Sequence, residues 1–290
     1  MNGWQTTLLA AAAVLLLLAG ARSYWERHHL VTENVSVPAA ALGPAFDGFR
    51  VALLADLHAA SFGSGQAELV NAVKMAHPDL IVFGGDMITA KHGREKGFDG
   101  LEDLLAGLSG TAPILAVSGN HEPRLSEPGR LRELYDRYGV TPIDGLTWHL
   151  LREGKTLSVT GLPFTEGQYK KLAKASGLQP EDYARWLADA GDFAVLAAHS
   201  PLWFSEYAAA GVDLTLSGHV HGGIIRLPGI GGVATPQWRF FFPYTRGLYA
   251  RPGRAGKTAY LAVTGGLGTH TVNLRLGNPA HLLIITLKNG

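Results

Sequence analysis

The sequence contains no cysteine. Disulfide bonds, cysteine-ligated zinc and a thiol nucleophile are therefore excluded, and the redox compartment stays undetermined. Charge is also scarce: charged residues make up 17% of the 290 residues, and the net charge is +1. Because no basic field or long Lys/Arg stripe is present, no nucleic-acid partner is expected. Histidine, in contrast, occurs 12 times, and five of these histidines lie in the motifs described below.

Residues 1–29 are predicted to be a membrane anchor, because no charged side chain occurs before Arg22. As a helix, the apolar stretch would be about 30 Å long, enough to cross a bilayer. Ala19-Gly20-Ala21 fits a signal-peptidase site, but no Lys or Arg precedes the apolar run, so an uncleaved anchor is favoured over a signal peptide. Arg22 and Arg27 follow the run, which favours a catalytic domain facing the cytoplasm and leaves an extracytoplasmic one open.

Residues 30–46, with Pro38 and Pro44 as breakers, are predicted to be a linker into a catalytic domain of residues 47–290. In that domain, short apolar runs alternate with helical patterns, which predicts an α/β fold. The predicted strands are 50–55, 80–83, 114–117, 157–159, 193–197, 214–216, 260–263 and 282–287, and the clearest predicted helices are 66–76, 101–108 and 181–190.

Five of these predicted strands run directly into polar motifs. The motifs are Asp56-x-His58, Gly85-Asp86, Gly119-Asn120-His121-Glu122, Ala198-His199 and Gly218-His219-x-His221. Open α/β sheets bind ligands beyond the carboxyl ends of their strands, and side chains at i and i+2 of an extended chain share a face. Any one motif is more often structural than metal-binding, but the ordered set is far more specific. Carboxylate, imidazole and amide ligands without thiolate suit Mn, Fe or Zn.

These five motifs resemble the five blocks of the calcineurin-like metallophosphoesterase superfamily, over residues 47–290. Later segments, including Thr245-Arg246-Gly247-Leu248-Tyr249 and Gly266-Leu267-Gly268-Thr269, resemble a bacterial branch with an N-terminal membrane segment or export signal. The resemblance implies a four-layer α/β/β/α sandwich with two divalent metal ions, Mn first and Zn or Fe as alternatives. It also implies attachment to the bacterial inner membrane, with the bilayer as a partner.

The resemblance also implies a role for each motif residue. Asp56, His58 and His221 would hold the first metal, Asn120, His199 and His219 the second, and Asp86 would bridge both. His121 would be the non-ligand histidine that protonates the leaving group as a general acid after in-line attack by metal-activated water. Glu122, Ser200 and Ile224 depart from residues frequent in the family without removing a ligand.

The expected substrate is a lipid-linked phosphodiester or diphosphate, similar to the UDP-2,3-diacylglucosamine cleaved by related membrane-associated enzymes. The expected substrate contacts are Arg226, Trp238, Arg239, Phe240 and Phe241, in and near an aromatic run that suits the headgroup region of a bilayer. These aromatics could instead be core or cover one edge of a sheet. The alternatives are a phosphodiesterase for soluble substrates, a nuclease, and a metal-binding sensory module. A serine nucleophile is disfavoured because Ser118 and Ser217 lack a nucleophile elbow.

Overall fold

The computed structural model describes residues 2–91, 94–163, 180–269 and 272–290. Two six-stranded sheets pack face to face, and helices cover their outer faces. This is the α/β/β/α sandwich expected from the sequence.

The first sheet contains β1 (Leu30–Pro38), β2 (Arg50–Leu54), β3 (Leu80–Phe83), β6 (Ile114–Ala116), β7 (Val140–Pro142) and β16 (Ala280–Lys288). Its strand order is β1-β16-β2-β3-β6-β7. Strands β2, β3 and β6 are parallel, whereas β16 runs antiparallel to β2. In the chain between β3 and β6, β4 (Thr89–Lys91) and β5 (Arg94–Lys96) form a separate two-stranded antiparallel ribbon.

The second sheet contains β8 (Thr147–Arg152), β9 (Lys155–Gly161), β10 (Phe193–Ala197), β11 (Leu214–Ser217), β14 (Gly247–Pro252) and β15 (Thr258–Val263). Its strand order is β14-β15-β11-β10-β9-β8, and β9, β10, β11 and β15 are parallel. A two-stranded ribbon of β12 (Arg226–Leu227) and β13 (Gly231–Gly232) lies between β11 and β14 in the chain.

Six α-helices complete the described fold: α1 (Gly3–His28), α2 (Ala67–Met75), α3 (Phe98–Leu108), α4 (Pro128–Tyr138), α5 (Pro180–Trp186) and α6 (Phe204–Ala210). Successive strand side chains point to opposite faces of a sheet. Leu53 therefore lies in the core between the sheets, while its neighbours Ala52 and Leu54 pack under α2, α3 and α4. Helices α5 and α6 pack on the second sheet through Tyr183 and Tyr207.

The segment predicted to be a linker is part of the fold. Residues 30–38 form edge strand β1, which pairs in parallel with β16 from Leu30 opposite Ala280 to Pro38 opposite Lys288. The linker prediction rested on Pro38 and Pro44 as breakers. Pro38 is tolerated at the end of an edge strand, because its missing N–H costs no ladder bond there, and Pro44 begins a short 3-10 turn after the strand. Residues 30–38 therefore belong to the first sheet.

Helix α1 is the one described helix that is long and apolar enough to cross a membrane, by length and composition. Its 26 residues span about 39 Å. Leu15 to Leu18 are 61–74% exposed, although burying such a side chain is worth about 1.5–3 kcal/mol. Its last turns differ, because Ser23 and Glu26 are buried against the domain.

Candidate metal centre

The carboxyl ends of the two sheets meet at one edge, and the seven predicted metal-binding side chains lie there. All seven are buried, with 0–7% of their surface exposed. They follow β2, β3 and β6 of the first sheet (Asp56, His58, Asp86, Asn120) or β10 and β11 of the second sheet (His199, His219, His221). Both sheets therefore supply side chains to one cluster.

Within this cluster, three groups of side chains could each hold a metal ion. In each group the candidate ligand atoms lie within 4.8 Å of one another; the groups are Asp56-His58-His221, His58-Asp86-His121 and Asp86-His199-His219. His58 and Asp86 each belong to two of the groups, so the second group connects the first group, through His58, with the third group, through Asp86. The first group contains the three residues predicted for the first ion, and the third group contains His199 and His219, predicted for the second ion, together with Asp86. Asn120, the remaining residue predicted for the second ion, lies beside His121 in the chain.

The backbone at this edge is strained. Asp56, His58, Asp86, His219 and His221 all have φ between 48° and 69°. A side-chain-bearing residue seldom adopts this left-handed conformation, and a strained residue costs on the order of 1–3 kcal/mol. Five strained residues in one cluster indicate that the fold holds these side chains in place at the expense of stability.

Hydrogen bonds orient three of the imidazoles. Nδ1 lies 2.6 Å from the Gly84 carbonyl oxygen in His199 and 3.0 Å from the Gly268 carbonyl oxygen in His221. In His58 it lies 3.1 Å from the hydroxyl of Thr89. When Nδ1–H donates to such an acceptor, Nε2 is the nitrogen left to bind a metal, an arrangement typical of metal-ligating histidines.

The electrostatics of the cluster also favour cations. Burial raises the pKa of Asp56 to about 7, although His199 opposes the shift. Burial also disfavours charge on Asp86, but the imidazoles of His199, His58 and His121 outweigh it and hold the pKa of Asp86 well below its usual range. Conversely, burial disfavours a charged His199, yet Asp86 and Asp56 raise its pKa to about 9. Bound protons on Asp56 and His199 thus offset the negative charge of the buried carboxylates, and divalent metal ions would offset the same charge. The nitrogen and oxygen donors of the cluster suit Mn, Fe or Zn.

His121 lies deeper in the cluster than its predicted role required. Its Nε2 is 4.0 Å from Asp86 Oδ2, and its backbone N–H donates to Asp86 Oδ1 at 2.8 Å. Its Nδ1 lies 2.9 Å from the carbonyl oxygen of Ala90. The sequence could not distinguish a ligand from a proton donor here, and the geometry places His121 close enough to Asp86 and His58 for either role.

Glu122 supports the cluster in a way that the sequence did not reveal. Its carboxylate accepts hydrogen bonds from the backbone N–H groups of Asp86 (3.1 Å), Met87 (2.8 Å) and Gly119 (2.8 Å). These bonds join the loops after β3 and β6. The one signal in the sequence was that Glu122 departs from the residue frequent in the family at this position. No local pattern indicated that its carboxylate accepts backbone hydrogen bonds.

The five predicted substrate contacts divide into two sets. The Arg226 guanidinium is used by the fold, because Nη1 donates to the Gly222 carbonyl and to the Thr245 hydroxyl, both at 2.9 Å. Arg239 is half-buried. In contrast, Trp238, Phe240 and Phe241 are exposed. These three aromatics are therefore not core, whereas Phe242 and Tyr244 of the same run are partly buried against a core cluster of the second sheet.

We name residues 237–244 the aromatic segment. A cleft of about 550 Å³ lies beside it. Its walls include Arg226, Leu227, Ile230 and Phe241. Leu227 and Ile230 are 45% and 61% exposed. The segment also approaches the metal cluster, because the side-chain amide nitrogen of Gln237 lies 2.9 Å from Nε2 of His219. Sequence reasoning missed Gln237, and no local signal pointed to it.

Comparison with known proteins places this site in a family. The family model of the calcineurin-like phosphoesterases matches residues 49–223, more than half of the chain. The chain is 28% identical over 281 residues to the uncharacterized metallophosphoesterase YkuE of Bacillus subtilis, covering 93% of this chain and 90% of that protein. It is 26% identical over 194 residues to the phosphodiesterase YaeI of Escherichia coli, covering 65% of this chain and 66% of that protein.

A solved structure shows the same fold. The NAD nucleotidase NadN of Haemophilus influenzae matches with a TM-score of 0.50 at 11% identity, over 76% of this chain and 50% of that one. The chain belongs to the calcineurin-like phosphoesterase family. Its clustered His and Asp side chains make it a metal-dependent phosphoester hydrolase.

Proposed function

We propose that this protein is a dinuclear hydrolase that cleaves a lipid-linked phosphodiester or diphosphate at the surface of a bacterial inner membrane. The first ion is assigned to Asp56, His58 and His221, the second to Asn120, His199 and His219, and Asp86 contacts both. The assignment of Asp86 is supported by its two ligand groups, one with His199 and His219 of the second set and one with His58 of the first set. Mn is the first choice of metal, with Zn and Fe as alternatives, because N and O donors accept all three.

The chemistry divides between the metals and the protein. Two divalent ions, when bound, supply an activated water at neutral pH and neutralise charge on the phosphoryl oxygens. The side chains at this edge are buried, and hydrogen bonds through Nδ1 orient the imidazoles of His199 and His221. His121 donates a proton to the leaving oxygen, a contribution typically of about 10²–10⁴-fold in rate.

The lipid-linked substrate is supported by the surface beside the metal cluster. Trp238, Phe240 and Phe241 are 53–65% exposed. Phe241 and Arg226 both line the cleft, and Arg226 donates a hydrogen bond to the carbonyl of Gly222, the residue after His221. Gln237 links the same segment to His219. The apolar exterior of α1 would keep this surface at a bilayer, where the amphipathic ring of Trp238 would favour the headgroup region. The proposal rests on one observation: exposed aromatic side chains and a cleft lie beside the candidate metal-binding residues His219 and His221.

The orientation of the domain is part of the proposal. Arg22 and Arg27 follow the apolar part of α1, and the positive-inside rule then favours a cytoplasmic catalytic domain. A reagent that cannot cross membranes, applied to intact cells to label a cysteine introduced at exposed Glu153, tests this assignment. Labelling without permeabilisation would place the domain outside the cytoplasm.

The decisive experiment compares two substrates in a triple variant. Replacing Trp238, Phe240 and Phe241 with Ser should slow hydrolysis of a diacylated nucleotide diphosphate at least tenfold, while bis(4-nitrophenyl) phosphate is cleaved at the parent rate. Phe242 is left unchanged because it is half-buried, with its ring 5.6 Å from that of Tyr244.

A matched control replaces three exposed apolar residues elsewhere, Met75, Leu146 and Leu151, with Ser. This control should cleave both substrates like the parent protein. If the aromatic variant also handles both substrates like the parent, the lipid contact is refuted, and a phosphodiesterase for soluble substrates is favoured. If the parent cleaves neither substrate with Mn, Zn or Fe, the sensory alternative is favoured.

A further inference from the structure

The last turns of α1 are bonded to a loop that precedes β16. We name residues 273–279 the bridging loop. The backbone N–H of Arg275 donates to the Ser23 hydroxyl at 3.1 Å. The Glu26 carboxylate accepts the backbone N–H groups of Gly277 at 3.0 Å and Asn278 at 2.8 Å. Helix α1 is therefore not only a tether, since it provides acceptors for the backbone of the catalytic domain.

Glu26 is an unusual residue for such a helix. It is fully buried, and Arg22, one turn earlier, lies 2.6 Å from its carboxylate. Burying a carboxylate costs several kcal/mol unless charges and hydrogen bonds compensate it. Here one guanidinium and two backbone N–H groups do so, which makes the junction between helix and domain specific.

The opposite side of the bridging loop contacts the metal cluster. The Asn278 side chain donates to the carbonyl of His221 at 2.7 Å. The fully buried Arg275 guanidinium donates to the carbonyls of Gly266 at 2.9 Å and Gly268 at 2.8 Å. The Gly268 carbonyl oxygen in turn lies 3.0 Å from Nδ1 of His221. The bridging loop thus holds both the backbone and the imidazole of His221.

We propose that Glu26 is a positioning residue of the metal centre, acting on His221 through the bridging loop. This inference rests on the proposed role of His221 as a metal ligand. Without the Glu26 carboxylate, the backbone N–H groups of Gly277 and Asn278 lose their acceptor, and Asn278 is no longer held against the carbonyl of His221. Loss of a group that orients a metal ligand typically costs about 10–100-fold in metal affinity.

The test is a metal titration of the full chain in detergent, with Mn as the probe. Glu26→Ala should bind one ion about 10–100-fold more weakly and the other ion as in the parent protein. Saturating Mn should restore turnover, since the ligands themselves remain. Glu26→Gln keeps one acceptor oxygen and should lie between Glu26→Ala and the parent.

A double-mutant cycle shows whether Glu26 acts through the loop. Asn278→Ala should weaken the same ion, and the Glu26→Ala/Asn278→Ala protein should lose little more than either single variant, because coupled residues are not additive. Fully additive losses would refute transmission through the bridging loop. If Glu26→Ala fails to fold, Glu26→Gln replaces it in the same cycle with Asn278→Ala, and the same two outcomes apply.

Asp213→Ala is the matched control for stability. Asp213 accepts the backbone N–H of Ala194 at 2.8 Å, at the amino ends of β10 and β11, away from the metals. This variant should unfold at a lower temperature than the parent and bind both ions normally. If Glu26→Ala behaves like Asp213→Ala, Glu26 is merely structural. If the parent itself binds fewer than two ions, the dinuclear proposal fails independently of Glu26.

Discussion

Gly119 offers the sharpest steric test of the metal centre. A Cβ placed on Gly119 would lie 2.3 Å from Asp86 Oδ1 and 2.6 Å from the Asp86 backbone nitrogen. Real Cβ atoms essentially never approach closer than 3.0 Å, so residue 119 and the Asp86 carboxylate would have to separate by at least 3.0 − 2.3 = 0.7 Å. Gly119→Ala therefore displaces the one carboxylate that belongs to two ligand groups.

The expected losses follow from this displacement. Overpacking of this kind costs about 1–3 kcal/mol, which for a chain of this size lowers the melting temperature by roughly 2–12 °C. A misplacement near 1 Å in an active site can cost about 100-fold in rate. We therefore expect Gly119→Ala to fold, to bind metal weakly and to hydrolyse bis(4-nitrophenyl) phosphate about 100-fold more slowly than the parent.

Gly129 supplies the control for Gly119. It lies in the first turn of α4, is exposed, and has open space where a Cβ would be added. Gly129→Ala should leave activity unchanged and stabilise the protein by about 0.5–1 kcal/mol, since glycine is a poor helix former. Calorimetry and metal analysis are applied to both variants. If Gly119→Ala keeps parental metal content and activity, Asp86 is not held as described.

Two further predictions concern histidines. His121→Asn should retain both ions and lose most turnover. The loss of turnover should be smallest for a substrate with a nitrophenolate leaving group, because this leaving group needs no proton. Loss of an ion would instead identify His121 as a ligand. Burial lowers the pKa of His281 to about 4, below the ~6.5 of an exposed histidine. The unfolded chain then binds a proton first, so stability is complete above pH ~6.5 and falls by at most about 3 kcal/mol as the pH drops towards 4. His281→Gln should flatten this part of the pH profile in thermal melts, and an unchanged slope would contradict the assignment.

The polar motifs of the cluster could be recognised in the sequence because their information is local. Asp56 and His58 sit two residues apart directly after an apolar run, so both the strand and the polar end can be recognised without knowledge of the rest of the chain. The parallel arrangement of β2, β3 and β6 then brings the motifs to one edge. Family resemblance added the roles of the individual residues.

Features that depend on distant pairing could not be predicted. Strand β1 pairs with β16, about 250 residues later, and half of its residues face solvent, so it resembled a linker. The contacts of Gln237 with His219, and of Glu26 with Asn278, likewise join segments with no shared pattern. Exposure of the aromatic segment was also undecided, because aromatic runs suit a core and a membrane surface equally.

The most direct test is the metal content of the purified full chain after loading with Mn and removal of excess metal. The parent should hold two ions per chain, and hydrolysis of bis(4-nitrophenyl) phosphate should rise with occupancy and disappear with a chelator. Asp86→Ala should lose more metal than His58→Ala, because Asp86 alone is assigned to both ions and its loss leaves two cations repelling each other. If Asp86→Ala keeps two ions while His58→Ala loses one, or if hydrolysis proceeds without metal, the dinuclear assignment is wrong.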